Sequence, residues 1–336
     1  MSFGYRTLIM HLDPDPHYID ATVWPLTFQK RVFGNFVQRL YSRFLLGLEF
    51  VQPDWFKQYI DVKPEYHTCR VGGATIAYQH WKNTGKPALL FVHGHAAHAH
   101  WWDFIAPAFV QKYDVVAIDS SGSGESDHRK EYSAALFAQE ISACISAAHL
   151  NAPVVIGHSF GGTMTRIAAH LYPEQLDSIV IVDSALPPEK SSRRPLPVPK
   201  LKSRCYESME QGKRRFRLRP PQSCDNKFIL DYLAGHSLKK TPKGFEFKLD
   251  GAVFAKMALT EKFPAAADMV RDMQIPVGFI YGEKSRFFPP TIAEELALSL
   301  DPTLIRVIPD AHHHVFLDQP LRFIEALKDL IPQLNS

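Results

Sequence analysis

Residues Val154 to Met164 read VVIGHSFGGTM. An apolar run gives way to a serine flanked two residues either side by Gly157 and Gly161, and a helix-forming stretch follows. This is G-x-S-x-G with a strand before it and a helix after it, the pattern of a very tight turn that lifts the serine oxygen clear of the backbone. Side chains at the two glycine positions would collide with such a turn. The helix that follows, running to about Tyr172-Pro173, aims its N-terminus at the serine and favours negative charge there. Ser159 is therefore a candidate nucleophile. The plainer alternative is a glycine-rich packing turn.

Outward from this turn, short apolar runs alternate with helical stretches. ALLFVHG (88–94), VVAID (115–119), PVVIG (153–157), SIVIVD (178–183), PVGFIYG (276–282) and TLIRVI (303–308) read as strands, and 69–81 as a hairpin around Gly72-Gly73. Most are continuous Val/Ile/Leu/Phe runs, as expected where helices cover both faces of a parallel sheet. YSAALFAQEISACISAAHL (132–150) is one of the covering helices. The expected class is α/β.

A serine hydroxyl needs a base to take its proton. AHHHVFLDQP (311–320), after the last expected strand, offers three consecutive histidines. With these residues in hand, the chain from about 66 to 330 resembles the α/β-hydrolase superfamily. Its segment G-H-x-x-x-x-[DE]-x-P, anchored on Asp318-Gln319-Pro320, implies His313 as the base. His312 and His314 are then solvent-facing or bonded within the loop. In the same family the H-G-x loop, here HGHAAHAHWWDF (93–104), and the residue after the nucleophile supply backbone N–H groups to an oxyanion hole. The resemblance carries those roles to His95 and Phe160. DSSGSGESD (119–127) resembles the family's structural D-x-x-G-x-G-x-S turn.

The third member, a carboxylate that orients the histidine, departs from the family pattern. Its commonest location is a G-x-x-D turn, where this chain has Gly282-Glu283-Lys284-Ser285. Serine cannot do that work. Some family members carry the acid one strand earlier, which implies Asp183; Glu283 is the alternative. Trp101 and Trp102 are candidate walls of an acyl pocket, with core packing as the competing fate of at least one. Histidines 93, 95, 98 and 100 invite a metal, but the loop has a complete role without one, and the triple histidine lacks acidic or cysteine partners nearby. No cofactor or metal is expected.

Two segments interrupt the alternation. Residues 1–65 form an N-terminal extension. In it, 32–46 reads as an amphipathic helix with Phe33, Phe36, Val37, Leu40 and Phe44 on one face and Arg31, Arg39 and Arg43 on the other. Packing on the main domain, peripheral contact with an anionic membrane and a dimer contact all fit this pattern. Residues 185–272 form a helical cap inserted between the two parts of the core, 66–184 and 273–336. Over 190–219 the cap carries eleven Lys/Arg against two Glu. In KRRFRLRPP (213–221), an extended chain would put Arg215, Arg217 and Arg219 on one face. Arg217 or Arg219 could then bind a substrate carboxylate or phosphate, or the arginines could be solvated with their stems on apolar surface.

The composition sets outer limits. A net charge of +3 over 336 residues, with no nucleic-acid motif, argues against a polyanionic partner. Four scattered cysteines fit free thiols in a reducing compartment, with a Cys205–Cys224 bridge left open. Neither a leader nor a bilayer-length apolar run is visible, so a cytoplasmic protein is expected. A serine nucleophile argues against the aspartate-dependent epoxide hydrolases and dehalogenases of this fold. The expected activity is hydrolysis of a carboxylic ester or thioester through an acyl-enzyme, on a small-molecule acyl substrate. Carbon–carbon bond hydrolysis and a non-catalytic ligand receptor are the alternatives.

Overall fold

The computed structural model describes residues 51–184, 204–258, 261–289 and 301–334, together with 291, 292, 294 and 297. The helix expected at 32–46 and the Pro/Arg stretch at 190–200 lie outside the described residues.

In chain order the described elements are α1 (Asp54–Asp61), β1 (Glu65–Val71), β2 (Ala74–Trp81), β3 (Ala88–Val92), β4 (Asp114–Ile118), α2 (Ala134–Ala147), β5 (Val154–His158), α3 (Phe160–Leu171) and β6 (Ser178–Val182). They continue with α4 (Met209–Lys213), α5 (Lys227–His236), β7 (Leu238–Thr241), β8 (Gly244–Phe247), α6 (Ala266–Arg271), β9 (Val277–Gly282), β10 (Ile305–Ile308), α7 (Val315–Asp318) and α8 (Pro320–Leu334). The main sheet runs in the order β1-β2-β4-β3-β5-β6-β9-β10. The β1/β2 and β2/β4 pairs are antiparallel, and every other pair in the sheet is parallel.

The apolar runs are continuous because both faces of the sheet are covered. Leu89, Phe91, Val154 and Ile156 point into one core with Phe323, Leu327 and Leu330 of α8. Their neighbours Leu90, Val92 and Val155 point into a second core with Phe137 and Ile141 of α2 and Ile167 of α3. Successive side chains of a strand face opposite ways, so each strand feeds both layers. The start of α2 is set by Ser133, whose hydroxyl accepts the Leu136 N–H at 3.1 Å.

One boundary and one element type differ from the sequence-based expectation. The compact unit that holds the sheet begins at Val51 rather than after residue 65. The reason is Phe56 of α1, which is fully buried against Phe104, Phe228 and Tyr232. Burial of such a ring stabilises by about 2–3 kcal/mol. The insertion is also not wholly helical, because β7 and β8 pair there as an antiparallel hairpin.

Candidate active site

Strand register brings the key residues together. His158 of β5 lies opposite Val182 of β6, and Val182 opposite Ile280 of β9. One step beyond each strand, the Ser159 N–H donates to the Val182 carbonyl at 2.8 Å and the Asp183 N–H to the Ile280 carbonyl at 2.8 Å. Ser159 has φ 54° and ψ −119°, and Asp183 has φ 43°. Non-glycine residues adopt positive φ only where the surroundings over-determine it. Here the surroundings are tight: a Cβ on Gly161 would run into the carbonyls of Val92 and His93, and one on Gly157 into Thr165 and Gly161.

The His313 Nε2 atom lies 2.8 Å from Ser159 Oγ, and Nδ1 lies 2.8 Å from Asp183 Oδ1. A carboxylate only accepts, so Nδ1 carries the proton, Nε2 is the acceptor, and the serine hydroxyl donates. Asp183 is fully buried. It also accepts the Ser285 hydroxyl at 2.6 Å and the Gly282 N–H at 2.9 Å. The serine standing in the G-x-x-D position thus braces the acid from the neighbouring strand end. Glu283 is exposed and accepts the Asp310 N–H at 3.1 Å, so it is not in the array.

The loop after β3 presses on Ser159. A Cβ on Gly94 would come within 3.2 Å of Ser159 Cβ and 2.8 Å of His158 Nδ1. The next residue is His95, and neither its N–H nor that of Phe160 has an acceptor among the described residues. The histidines of this loop have separate roles. His93 donates from Nδ1 to the Gly94 carbonyl at 2.7 Å and accepts the Ser120 N–H on Nε2 at 3.0 Å. His98 meets the Ser237 hydroxyl at 2.8 Å, and His100 meets Asp103 at 2.7 Å. Burial pushes the His95 ring down to about 4, helped by the nearby charges of Arg219 and His93. The 119–127 turn is structural, as expected: Asp119 accepts the Ala99 and Glu125 N–H groups at 2.6 and 2.9 Å.

His158 donates from Nε2 to the His313 carbonyl at 3.0 Å. It is held neutral, chiefly by burial and then by the charges of His313 and His314. Phe287 covers the other side of the base, its ring centroid 4.4 Å from that of His313. His312 is part-exposed, with its N–H on Asp318 at 2.8 Å. His314 is buried, and burial followed by the His313 charge pushes it down to about 3.

Sequence reasoning missed the brace from the insertion. Gln222 accepts the His314 N–H at 2.9 Å and donates to both oxygens of Asp318 at 3.0 and 3.1 Å. Asn226 donates to the Leu317 carbonyl at 2.7 Å, and His314 Nε2 faces the Pro220 carbonyl at 3.3 Å. The loop that carries His313 is therefore tied to the inserted segment. No local pattern announces this, because the partners are about ninety residues away.

Several candidates are corrected. Trp101 and Trp102 are 2% and 0% exposed, and both lie in the core rather than on a pocket wall. The 3₁₀ turn at Ala99–Trp102 directs Trp102 between Phe91, Phe316 and Phe323, and Trp101 against His314 and Phe316. The extended strip of arginines does not form either. The N–H groups of Arg214, Arg215 and Phe216 continue the turns of α4 onto Glu210, Gly212 and Lys213 carbonyls. The Arg217 guanidinium is exposed and folds back onto the carbonyls of Arg214 and Phe216 at 2.8 and 2.6 Å. Cys205 and Cys224 are both free thiols.

Among the described residues, two clusters could in principle hold a metal: His158 with His313 and His314, and His100 with Asp103 and His236. In the first, both ring nitrogens of His313 are already engaged by Ser159 and Asp183. In the second, the His100 and His236 rings stack at 3.9 Å with an interplanar angle of 29°. Imidazole lone pairs lie in the ring plane, so two stacked rings do not converge on one ion.

A parallel sheet crossed by helices, with hydroxyl, imidazole and carboxylate in line at its carboxyl edge, defines a hydrolase of the α/β class. The chain belongs to the alpha/beta hydrolase family, whose family model matches residues 89–326. An uncharacterized hydrolase of Bacillus subtilis is 28% identical over 117 residues, which is 34% of this chain and 43% of that protein. The chain thus spans less than half the length of this curated relative. A serine hydrolase-like protein of Danio rerio is 23% identical over 270 residues, covering 74% of this chain and 82% of the relative. Among solved structures, the thioesterase domain from the curacin biosynthetic pathway superposes with a TM-score of 0.65 at 21% identity, over 79% of this chain and 99% of that domain. Among the described residues, no helix is long and apolar enough to cross a membrane.

Proposed function

We propose that this hydrolase is a serine enzyme that cleaves a carboxylic ester or thioester of a small molecule through an acyl-enzyme. The observation that carries the reading is the line Ser159 Oγ–His313–Asp183, with both links at 2.8 Å. His313 Nε2 takes the hydroxyl proton as Ser159 attacks the carbonyl carbon. Asp183 holds the tautomer and stabilises the imidazolium that forms. The N–H groups of His95 and Phe160 receive the negative charge that builds on the carbonyl oxygen, and the N-terminus of α3 adds to that field. His313 then protonates the departing alcohol or thiol. Water attacks the acyl-enzyme in the same geometry and releases the acid. Two resemblances agree with this chemistry: one relative is named serine hydrolase-like, and one structural neighbour is a thioesterase domain.

The test is labelling by a fluorophosphonate probe, followed by turnover of p-nitrophenyl esters of increasing chain length and then acyl-CoAs. The expected result is one adduct per chain at Ser159, lost in Ser159→Ala, with ester turnover lost in parallel. A folded protein that neither labels nor turns over any ester overturns the proposal.

A further inference from the structure

Two side chains and one backbone carbonyl of the insertion fix the position of a third side chain. Leu218 is buried in the core that contains Trp101, and the Pro220 carbonyl faces His314 Nε2 at 3.3 Å. Two residues further on, Gln222 grips the His314 N–H. Arg219 is pinned between these anchors, beside the loop that carries the base. It is half-buried and has no hydrogen bond or ion pair among the described residues. Among the cations of the insertion, Lys248 pairs with Glu125 and Lys256 with Asp250, while Arg217 lies on carbonyls in solvent; outside it Arg129 pairs with Glu140, and Arg166, buried behind the sheet, is also without a partner on Nε and Nη1. A guanidinium partly removed from water without a counter-charge is unfavourable.

The position of that charge relative to the nucleophile follows from His95. Arg219 is the first charge, after burial, that opposes protonation of the His95 ring. The His95 ring also lies 6.5 Å from that of Phe160. The charge of Arg219 is thus felt at the ring of His95, the residue whose N–H is assigned to the oxyanion.

Resting on the serine-hydrolase reading above, we propose that Arg219 is an anion-binding subsite beside the His313–His314 loop, and that the substrate carries a carboxylate or phosphate group which it receives. A guanidinium offers both an anion-matching fork of donors and a permanent charge. The anion can sit on the acyl part or on the leaving group, and the test separates the two.

Two matched pairs of esters serve as probes. Mono-p-nitrophenyl glutarate against p-nitrophenyl pentanoate puts a carboxylate on the acyl chain. 4-Acetoxyphenyl phosphate against 4-acetoxyanisole puts a phosphate on the leaving group. Each kcat/KM is normalised to the spontaneous hydrolysis rate. In at least one pair the anionic-to-neutral ratio of the unaltered protein should exceed that of Arg219→Gln by about 10- to 100-fold, the range of a charged hydrogen bond. Arg219→Lys should fall between them, and the ratio of the unaltered protein should decline as salt is raised. Ratios within twofold of each other in both pairs overturn the subsite. If Arg219→Gln does not fold, a salt-independent ratio in the unaltered protein overturns it instead. Turnover of the neutral esters with equal ratios sinks the subsite alone. No turnover together with no fluorophosphonate labelling sinks the serine-hydrolase reading as well.

Discussion

Replacing Asp183 by asparagine keeps the shape of the site and changes two things at once. The carboxylate accepts three donors: His313 Nδ1 at 2.8 Å, the Ser285 hydroxyl at 2.6 Å and the Gly282 N–H at 2.9 Å. An amide must choose which oxygen position receives its nitrogen. The Gly282 N–H can only donate, so the carbonyl oxygen stays there and the NH₂ faces His313 and Ser285, whose hydroxyl can turn to accept. Nδ1 of His313 must then become the acceptor, and its proton moves to Nε2, where it points at Ser159 and removes the base. The second change is the lost charge. A carboxylate about 4 Å from the centre of an imidazolium stabilises it by about 4 kcal/mol at an effective dielectric constant near 20, or about 10³-fold in rate. With the tautomer cost added, the expected loss in kcat is about 10³- to 10⁴-fold. The assay is steady-state turnover of a p-nitrophenyl ester together with the rate of fluorophosphonate labelling, on protein shown to be folded by its circular dichroism. Glu283→Gln is the companion variant and should stay within about twofold, in the range of a surface change. A folded Asp183→Asn protein that keeps a tenth of the activity, or a larger loss in Glu283→Gln, would refute the assignment of the acid.

Two further outcomes are expected. Gln222→Ala leaves the His314 N–H without its acceptor and frees Asp318, so it should cost about 1–3 kcal/mol in urea unfolding and lower kcat more than it raises KM; unchanged stability and kcat would remove the brace. Stability should also fall with acid. His95 and His314 are held at about 4 and about 3 in the folded state, against about 6.5 when unfolded. Between those values the unfolded chain binds more protons, so the contribution is complete above about pH 6.5 and is lost as pH falls toward 3. The slope is up to about 1.4 kcal/mol per pH unit for each histidine. A urea midpoint that is flat from pH 6.5 to 4.5 would contradict this.

What the sequence made legible was the local part. The serine turn needs glycines at fixed offsets, and the strands are continuous apolar runs because both faces are buried, so both can be read from neighbouring residues. Asp183 was reachable only through the family resemblance, which implies an acid one strand earlier when the commoner position, here Ser285, holds none. The role of Ser285 as a donor to Asp183 was not reachable, because it depends on the register of β6 against β9. Trp101 and Trp102 were misjudged because a 3₁₀ turn, rather than a loop, sets their direction. Of the two readings of 213–221, the extended arginine strip does not form because helical turns extend past α4 to Phe216. Gln222, Asn226 and Phe287 act across long separations and leave no periodic trace.

The bond from Gln222 to the backbone beside His313 has a consequence for engineering. Lids of such enzymes are attractive parts to swap when a new selectivity is wanted. In this chain the insertion is not a freely removable module, because an exchange that includes Gln222 takes away the clamp on the backbone beside His313. A chimera that retains the native Pro220–Asn226 segment and replaces only what precedes it would keep its chemistry. One that replaces the segment would lose turnover before any question of selectivity arose.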